Sequence, residues 1–344
     1  MKSFLIDKVG EKAYAFLNKY IPTESKNSFV ISTTDEFNIL NNSSEFNAII
    51  NLSKVNNIRF INKFFEAVNR KLKNDELFIV CCETITARKE RHRMGHIPVI
   101  KNIYFIIEFI FLRVFPKLWG FKKIYFLITK GRNRLLSKAE VMGRLVSCGF
   151  KIEASEVFDG LTYIVVKKVG EPFFNMNVSY GPLFKMERIG KHGKIIGVYK
   201  FRTMHPYAEY LQDYVLQLNG YATNGKPKDD FRLTPWGRVL RKYWLDELPQ
   251  LINLLKGDIK LVGVRPISKR YSQDIPEALQ ALRIKFKPGC IPPYVALNRM
   301  GDVESVLQAE REYLFEKIKR PYTTDTSYFF RAMYNIVIKS KRSA

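Results

Sequence analysis

Residues 244–266 read WLDELPQLINLLKGDIKLVGVRP, and the adjacent carboxylates of Asp246 and Glu247 open a Leu-rich helical pattern within it. A bare Asp-Glu pair is an ordinary helix start, because the unpaired amides and macrodipole of a first turn favour ionised carboxylates. The neighbours of this pair point to chemistry instead. Arg232, Arg238, Arg241 and Lys242 precede it closely, Arg265 follows it, and Lys200 and Arg202 lie upstream. An ionised aspartate among such cations meets the demands of attack on phosphorus: the nucleophile must be anionic, and the phosphates must be neutralised enough for it to approach. Guanidinium forks match phosphate oxygens better than lysine point charges do, which agrees with the prevalence of Arg here.

Two helices must hold the pair. One is expected from near Pro235 to about Tyr243; a second begins around the carboxylates, with Leu248, Leu251, Ile252 and Leu255 as its apolar stripe and Gly257 ending it. Pro249 fits only a first turn. Upstream, GPLFKMERIGKHGKIIGVYKFRTMH (181–205) sets six Lys or Arg against one Glu, with Gly181, Gly190, Gly193 and Gly197 among them. Strands and tight turns result, and glycines at these intervals let backbone amides approach an anion. DVESVLQAEREYLFEKIKR and TSYFFRAMYNIVIKS read as amphipathic helices separated by Pro321, with aromatic faces of the kind that usually enter a core.

The stretches GPLFKMERIGKHGKIIGVYKFRTM and DDFRLTPWGRVLRKYWLDELPQLINLLKGDIKLVGVRP resemble the bacterial sugar transferase family, the monotopic polyprenyl-phosphate phosphoglycosyl transferases, over roughly residues 180–340. The resemblance implies a membrane-bound enzyme that moves a phosphosugar from a UDP-sugar to polyprenyl phosphate with Mg2+ and so initiates glycan assembly. It places the family's catalytic dyad, which is also its metal site, on Asp246 and Glu247. Asp246 would attack the sugar-linked phosphorus, release UMP and hold the phosphosugar covalently, and Glu247 would assist through the metal or a proton. Lys200, Arg202, Arg232 and Arg265 fall on the family's basic motifs and would grip phosphates, with Arg241 in the same surroundings. The chain departs from the family in two places. EPFFNMNVSYGP is too short and polar for the re-entrant helix that precedes the family's GP motif, and KPGCIPPYVALNRM stands where many relatives carry PG-x-T-G followed by a glutamine. The second departure bears on sugar and acceptor choice.

The nearest candidate for the missing helix is IPVIKNIYFIIEFIFLRVFPKLWGFKKIYFLIT (97–129). Lys101, Glu108, Arg113, Lys117, Lys122 and Lys123 interrupt it, whereas a membrane-crossing helix needs about 20 predominantly apolar residues. Pro116 would kink or break a helix there. One reading is a helix-break-helix that enters one leaflet and returns, its basic side chains reaching for anionic head groups; the other is a buried core helix followed by a strand. On either side the chain alternates strand and helix. NSFVIST, NAIINLS and ELFIVCC read as strands, and Ile61, Phe64, Phe65, Val68 and Leu72 share one helical face, which makes a β-α-β unit. LSKAEVMGRLVSCGF carries a capping box at Ser137 and Glu140 and a terminal Gly149, and LTYIVVKK follows as a strand. Residues 27–82 and 135–168 resemble class I methyltransferases, yet no glycine lies between Gly10 and Gly95 to form a cofactor loop.

The 344 residues, with a net charge of +24, suit two cores and anionic partners. Cys81, Cys82, Cys148 and Cys290 form no C-x-x-C pair, and the charges in MKSFLIDKVGEKAYAF do not read as the unbroken apolar run of a signal peptide. The expectation is therefore an α/β chain: a Rossmann-like part over 1–96, completed by 131–170, with a membrane helix-break-helix over 97–130 and a mainly helical α+β catalytic domain over 171–344. Its expected place is the cytoplasmic face of a bacterial inner membrane, with UDP-sugar, polyprenyl phosphate and anionic lipids as partners; homo-oligomerisation is left open. The competing readings are a methyltransferase-like protein, a non-catalytic membrane scaffold and a nucleic-acid binder. No helix-turn-helix or RNP-like pattern supports the last of these.

Overall fold

The computed structural model describes residues 2–21, 27–42, 44–91, 98–118, 120–173, 181–220, 227–299 and 302–338. It divides into two compact units, Met1–Met176 with His205–Tyr214, and Asn177–Met204 with Val215–Ala344. The boundary expected between residues 96 and 97, most of EPFFNMNVSYGP and the last residue of KPGCIPPYVALNRM lie outside the described residues.

In the first unit the apolar runs form β1 (Ser28–Ile31), β2 (Ala48–Lys54) and β3 (Leu77–Cys82), which pair in parallel, and the helix Ile61–Lys71 connects β2 to β3. β4 (Phe150–Phe158) and β5 (Leu161–Lys168) add an antiparallel hairpin, giving the order β1-β2-β3-β5-β4. Side chains alternate across each strand. Ile50, Ile79 and Cys81 pack with Ala13, Phe16 and Leu17 of the helix Glu11–Tyr20. Phe78, of opposite parity, meets Phe65 edge-on and Phe150 at a tilt. Burial on both faces explains why these strands read as unbroken apolar runs. The Glu11–Tyr20 helix has no counterpart in the sequence expectation. The capping box does form: Glu140 N donates to Ser137 Oγ at 3.1 Å, and Gly149, at φ +86°, ends the Lys138–Ser147 helix. A Cβ on Gly149 would lie 2.3 Å from the Gly170 carbonyl, so packing as well as φ requires glycine.

The apolar stretch is helical in both limbs. An α-helix, Pro98–Phe109, widens into a π-turn over Ile110–Val114 and tightens to a 3-10 turn over Phe115–Lys117 that contains Pro116. Gly120, at φ +86°, reverses the chain into a helix over Phe121–Thr129. The alternative of a core helix followed by a strand is thereby corrected: the second limb is helical, and Ile106, Ile107, Ile124, Leu127 and Ile128 are exposed. Burial is confined to one side, where the Arg113 guanidinium donates to the Leu135 carbonyl at 2.7 Å and pairs with the buried Glu140 carboxylate. Arg88 bridges Glu108 of the first limb to Glu83 at the end of β3. Among the described residues no helix is long and apolar enough to cross a membrane.

The second unit is mainly helical. β6 (Leu183–Ile189) and β7 (Ile195–Phe201) form an antiparallel hairpin, and β8 (Lys260–Val262) pairs in parallel with β9 (Gly289–Ile291). Val262, Val264, Leu279, Val295, Tyr313 and Tyr328 share a core to which the helices Val303–Lys319 and Thr324–Val337 contribute. These helices match the expected pair, but only part of their aromatic face enters the core: Tyr313 and Tyr328 are buried while Phe315, Phe330 and Tyr334 are exposed.

Glu140 is also paired with Arg144, so removing its charge strands two poorly hydrated guanidinium groups. Glu140→Gln is expected to cost about 3–5 kcal/mol, read from chemical denaturation of the full chain. A loss below about 1 kcal/mol, the range of an exposed pair, would show that this network does not hold the hairpin.

Candidate active site

The helix Pro235–Lys242 starts at Thr234, whose Oγ accepts from Gly237 N at 3.0 Å and donates to the Thr203 carbonyl at 3.0 Å. It ends where Trp244 takes a left-handed φ of +56°, a conformation bulky side chains rarely adopt outside functional or heavily constrained positions. The reversal launches a 3-10 turn over Leu245–Glu247, and the helix Gln250–Leu255 follows with Pro249 at its N-cap. The carboxylates thus lie on a tight turn just before the second helix. Leu248, Leu251, Ile252 and Leu255 point outward, and the buried face of the second helix carries Gln250 and Asn253.

Asn253 was not singled out by sequence because it interrupts a leucine run. Its Oδ1 accepts from Tyr199 N at 2.9 Å and its Nδ2 donates to the Gly197 carbonyl at 2.7 Å. This clamp fixes β7 against the second helix and thereby sets Lys200 over the dyad. Lys200 Nζ donates to Glu247 Oε1 at 2.6 Å and stands 3.7 Å from Asp246 Oδ2. Arg265 Nη2 pairs with the same Glu247 oxygen, and its Nη1 donates to the Tyr294 hydroxyl at 3.1 Å. Arg241 Nε donates to Thr203 Oγ1 at 3.0 Å. Among the described residues, the Asp246 carboxylate accepts no hydrogen bond.

The electrostatics follow from these contacts. Burial would raise the Glu247 pKa, but Arg265 and Lys200 outweigh it and hold the carboxyl below the usual range. Burial lowers the Lys200 ammonium, an effect Glu247 partly offsets. Burial, helped by the Glu247 charge, pushes the Cys290 thiol up to about 11, so it stays protonated at neutral pH and offers no competing nucleophile. A small cleft opens beside Arg265, lined by Ile189, Val264, Ile284 and Phe286 together with Ser272 and Gln280.

Lys200, Arg241 and Arg265 therefore gather around Asp246 and Glu247, whereas Arg202 and Arg232 do not. Arg202 lies over the Phe184 ring and donates to the Gly181 carbonyl at 3.1 Å. Arg232 is only 2% exposed, and its Nε and Nη2 donate to the two oxygens of Asp230 at 2.8 and 2.7 Å. The Asp230 carboxylate thus takes the Nε–Nη2 edge of the Arg232 guanidinium. Among the described residues no group of three or more His, Cys, Asp or Glu could hold a metal alone. The adjacent carboxylates of Asp246 and Glu247 nevertheless fit Mg2+, which is commonly held by one or two carboxylates with substrate phosphates and water completing its shell.

Arg232→Lys should lower the melting temperature, because a lysine cannot replace the buried bidentate bond; a loss of about 1–3 kcal/mol is expected. Arg265→Lys, at a side chain 45% exposed, should leave the melting temperature within error of the parent. Equal melting temperatures for both variants would contradict this division.

The model of the bacterial sugar transferase family matches residues 172–338. Galactosyl transferase CpsE of Streptococcus agalactiae serotype III is 35% identical over 146 residues, 40% of this chain and 31% of that protein. An uncharacterised sugar transferase, EpsL of Bacillus subtilis, is 38% identical over 146 residues, 42% of this chain and 61% of its own length. Undecaprenyl-phosphate galactose phosphotransferase of Salmonella typhimurium is 36% identical over 147 residues, 38% of this chain and 30% of that protein. The chain thus spans less than two thirds of each of these relatives. With the dyad, its basic surround and the β6–β7 hairpin all inside the matched stretch, residues 172–338 belong to the bacterial sugar transferase family.

Proposed function

We propose that the chain is a phosphoglycosyl transferase that moves a phosphosugar from a UDP-sugar to polyprenyl phosphate and so begins assembly of a surface glycan. The observation that carries this reading is the division of labour in the dyad: Glu247 takes both neighbouring cations, while the Asp246 carboxylate is left without a hydrogen bond. A carboxylate that accepts no hydrogen bond, with Lys200 3.7 Å away and Arg241 and Arg265 nearby, has the freedom a nucleophile needs and neighbours that attract a diphosphate. The names of two relatives, undecaprenyl-phosphate galactose phosphotransferase and UDP-glucose:undecaprenyl-phosphate glucose-1-phosphate transferase of Escherichia coli, support the substrate classes.

In this reading an Asp246 oxygen bonds to the sugar-linked phosphorus as the bond to UMP breaks. An oxygen of polyprenyl phosphate then attacks the same phosphorus, releases the aspartate and forms the polyprenyl diphosphate sugar. Charge balances in both steps without a proton transfer. That favours an ionised Glu247, consistent with its lowered pKa, acting through position and metal rather than as an acid. Mg2+ held by the Asp246 and Glu247 carboxylates and the substrate phosphates would neutralise diphosphate charge. Lys200, Arg241 and Arg265 orient the phosphate oxygens.

Exposed apolar surface supports action at a membrane, the cytoplasmic face of a bacterial inner membrane in this reading. Trp236, Val239, Leu248, Leu251 and Leu255 lie outward on the elements flanking the dyad, with Arg238, Lys242 and Lys256 among them. In the first unit the 98–129 hairpin exposes an apolar face with the exposed Lys122 and Lys123. A surface of this kind suits one leaflet and its anionic head groups. The parallel β1-β2-β3 sheet supports a Rossmann-like scaffold that carries the hairpin.

Asp246→Asn should abolish UMP release from a panel of UDP-sugars with membranes and polyprenyl phosphate while the melting temperature holds, because an amide cannot form the acyl phosphate. EDTA should stop the wild-type reaction and added Mg2+ restore it. Substantial turnover by Asp246→Asn would remove the covalent route. For the hairpin, single cysteines introduced at Arg91 and Lys130 should both react with an impermeant maleimide only from the cytoplasmic side; periplasmic labelling of one end would show a full crossing.

A further inference from the structure

We infer that Tyr294 is a positioning residue of the phosphate site, an assignment that rests on the transfer reading above. β8 and β9 run in parallel with Val262 opposite Ile291, so the residues three beyond each strand end remain side by side: Arg265 after β8 and Tyr294 after β9. The strands approach this closely because glycines face each other. A Cβ on Gly289 would lie 2.2 Å from the backbone nitrogen of Gly263. Pro292 caps and Pro293 opens the short helix Pro293–Ala296, and their fixed φ limits the directions Tyr294 can take. Its ring is partly buried against the core that contains Val264 and Val295, so the hydroxyl is delivered from a rigid base.

That hydroxyl accepts from Arg265 Nη1 at 3.1 Å, while Nη2 pairs with Glu247. Bonds at both terminal nitrogens fix the guanidinium plane. A guanidinium carries five N–H donors, and among the described residues the Arg265 side chain shows no further hydrogen bond, so its remaining donors can meet phosphate oxygens. The phenol orients the fork without cancelling its charge, whereas a carboxylate in its place would neutralise the cation that a diphosphate needs. Tyr294 belongs to KPGCIPPYVALNRM, the stretch in which this chain departs from the sugar transferase pattern.

Tyr294→Phe deletes one oxygen and keeps the ring. With the full chain in membranes, kcat/KM for the UDP-sugar, read as UMP release, is expected to fall about tenfold. The change should lie mainly in KM, and the melting temperature should hold. The loss should vanish in an Arg265→Lys background, because a lysine has no fork to orient. An unchanged kcat/KM, an equal loss in the Arg265→Lys background, or a loss that only follows the melting temperature would each overturn the assignment. The wild-type chain separates this from the broader reading. If it releases no UMP from any UDP-sugar, the transfer reading falls and takes the assignment with it. An active wild type with an unaffected Tyr294→Phe sinks the assignment alone.

Discussion

One carboxylate oxygen organises the catalytic unit. Glu247 Oε1 receives both Lys200 and Arg265, which arrive from β7 and from the segment after β8. Partly buried ion pairs rarely add stability, since desolvation consumes much of the Coulomb gain. Their effect here is one of arrangement. The cations are spent on Glu247, Asp246 stays unbonded, and with Arg241 the cluster of Lys200, Arg241 and Arg265 against two carboxylates keeps a surplus of one positive charge. In the transfer reading, a diphosphate would meet a site already short of negative charge, preorganised before any substrate enters.

That arrangement needs a backbone that ordinary helix geometry does not supply. Trp244 in the left-handed region turns the chain sharply between two helices, and its side chain is packed against the Val262–Tyr313 core, which holds the turn in place. Asn253 ties β7 to the second of these helices through two backbone groups that would otherwise lie unpaired in a buried setting. Thr203 serves two partners at once: its carbonyl takes the Thr234 cap and its hydroxyl takes Arg241. Strain at one residue is therefore balanced by polar clamps at three others, Asn253, Thr203 and Thr234.

Apolar surface and buried charge exchange their usual places in this protein. In the first unit Arg113 and Glu140 are inside while Ile106, Ile124 and Leu127 are outside. In the second, Asn253 is inside while Leu251 and Leu255 are outside. Water alone would penalise such an inversion, and a hydrocarbon environment on one side would reward it. The π-turn at Ile110–Val114 is the local device in the hairpin: it carries Arg113, whose side chain turns inward to Glu140.

The amino-acid sequence by itself determined the elements whose signals are local. The β2-helix-β3 unit, the Ser137 cap, the Pro235 start and the cluster of cations around Asp246 and Glu247 were all legible, because periodicity, capping and composition act over a few residues. Only the tertiary structure decided which cations reach the dyad. Arg232 and Arg265 are equally basic in sequence, yet the first turns its Nε–Nη2 edge to Asp230 two residues away, while strand pairing brings the second to Glu247 and Tyr294. It also decided which side of each apolar helix is buried. A stripe such as Leu248, Leu251 and Leu255 reveals an amphipathic helix but not what lies opposite it, since a core and a membrane select the same apolar pattern and only long-range packing distinguishes them.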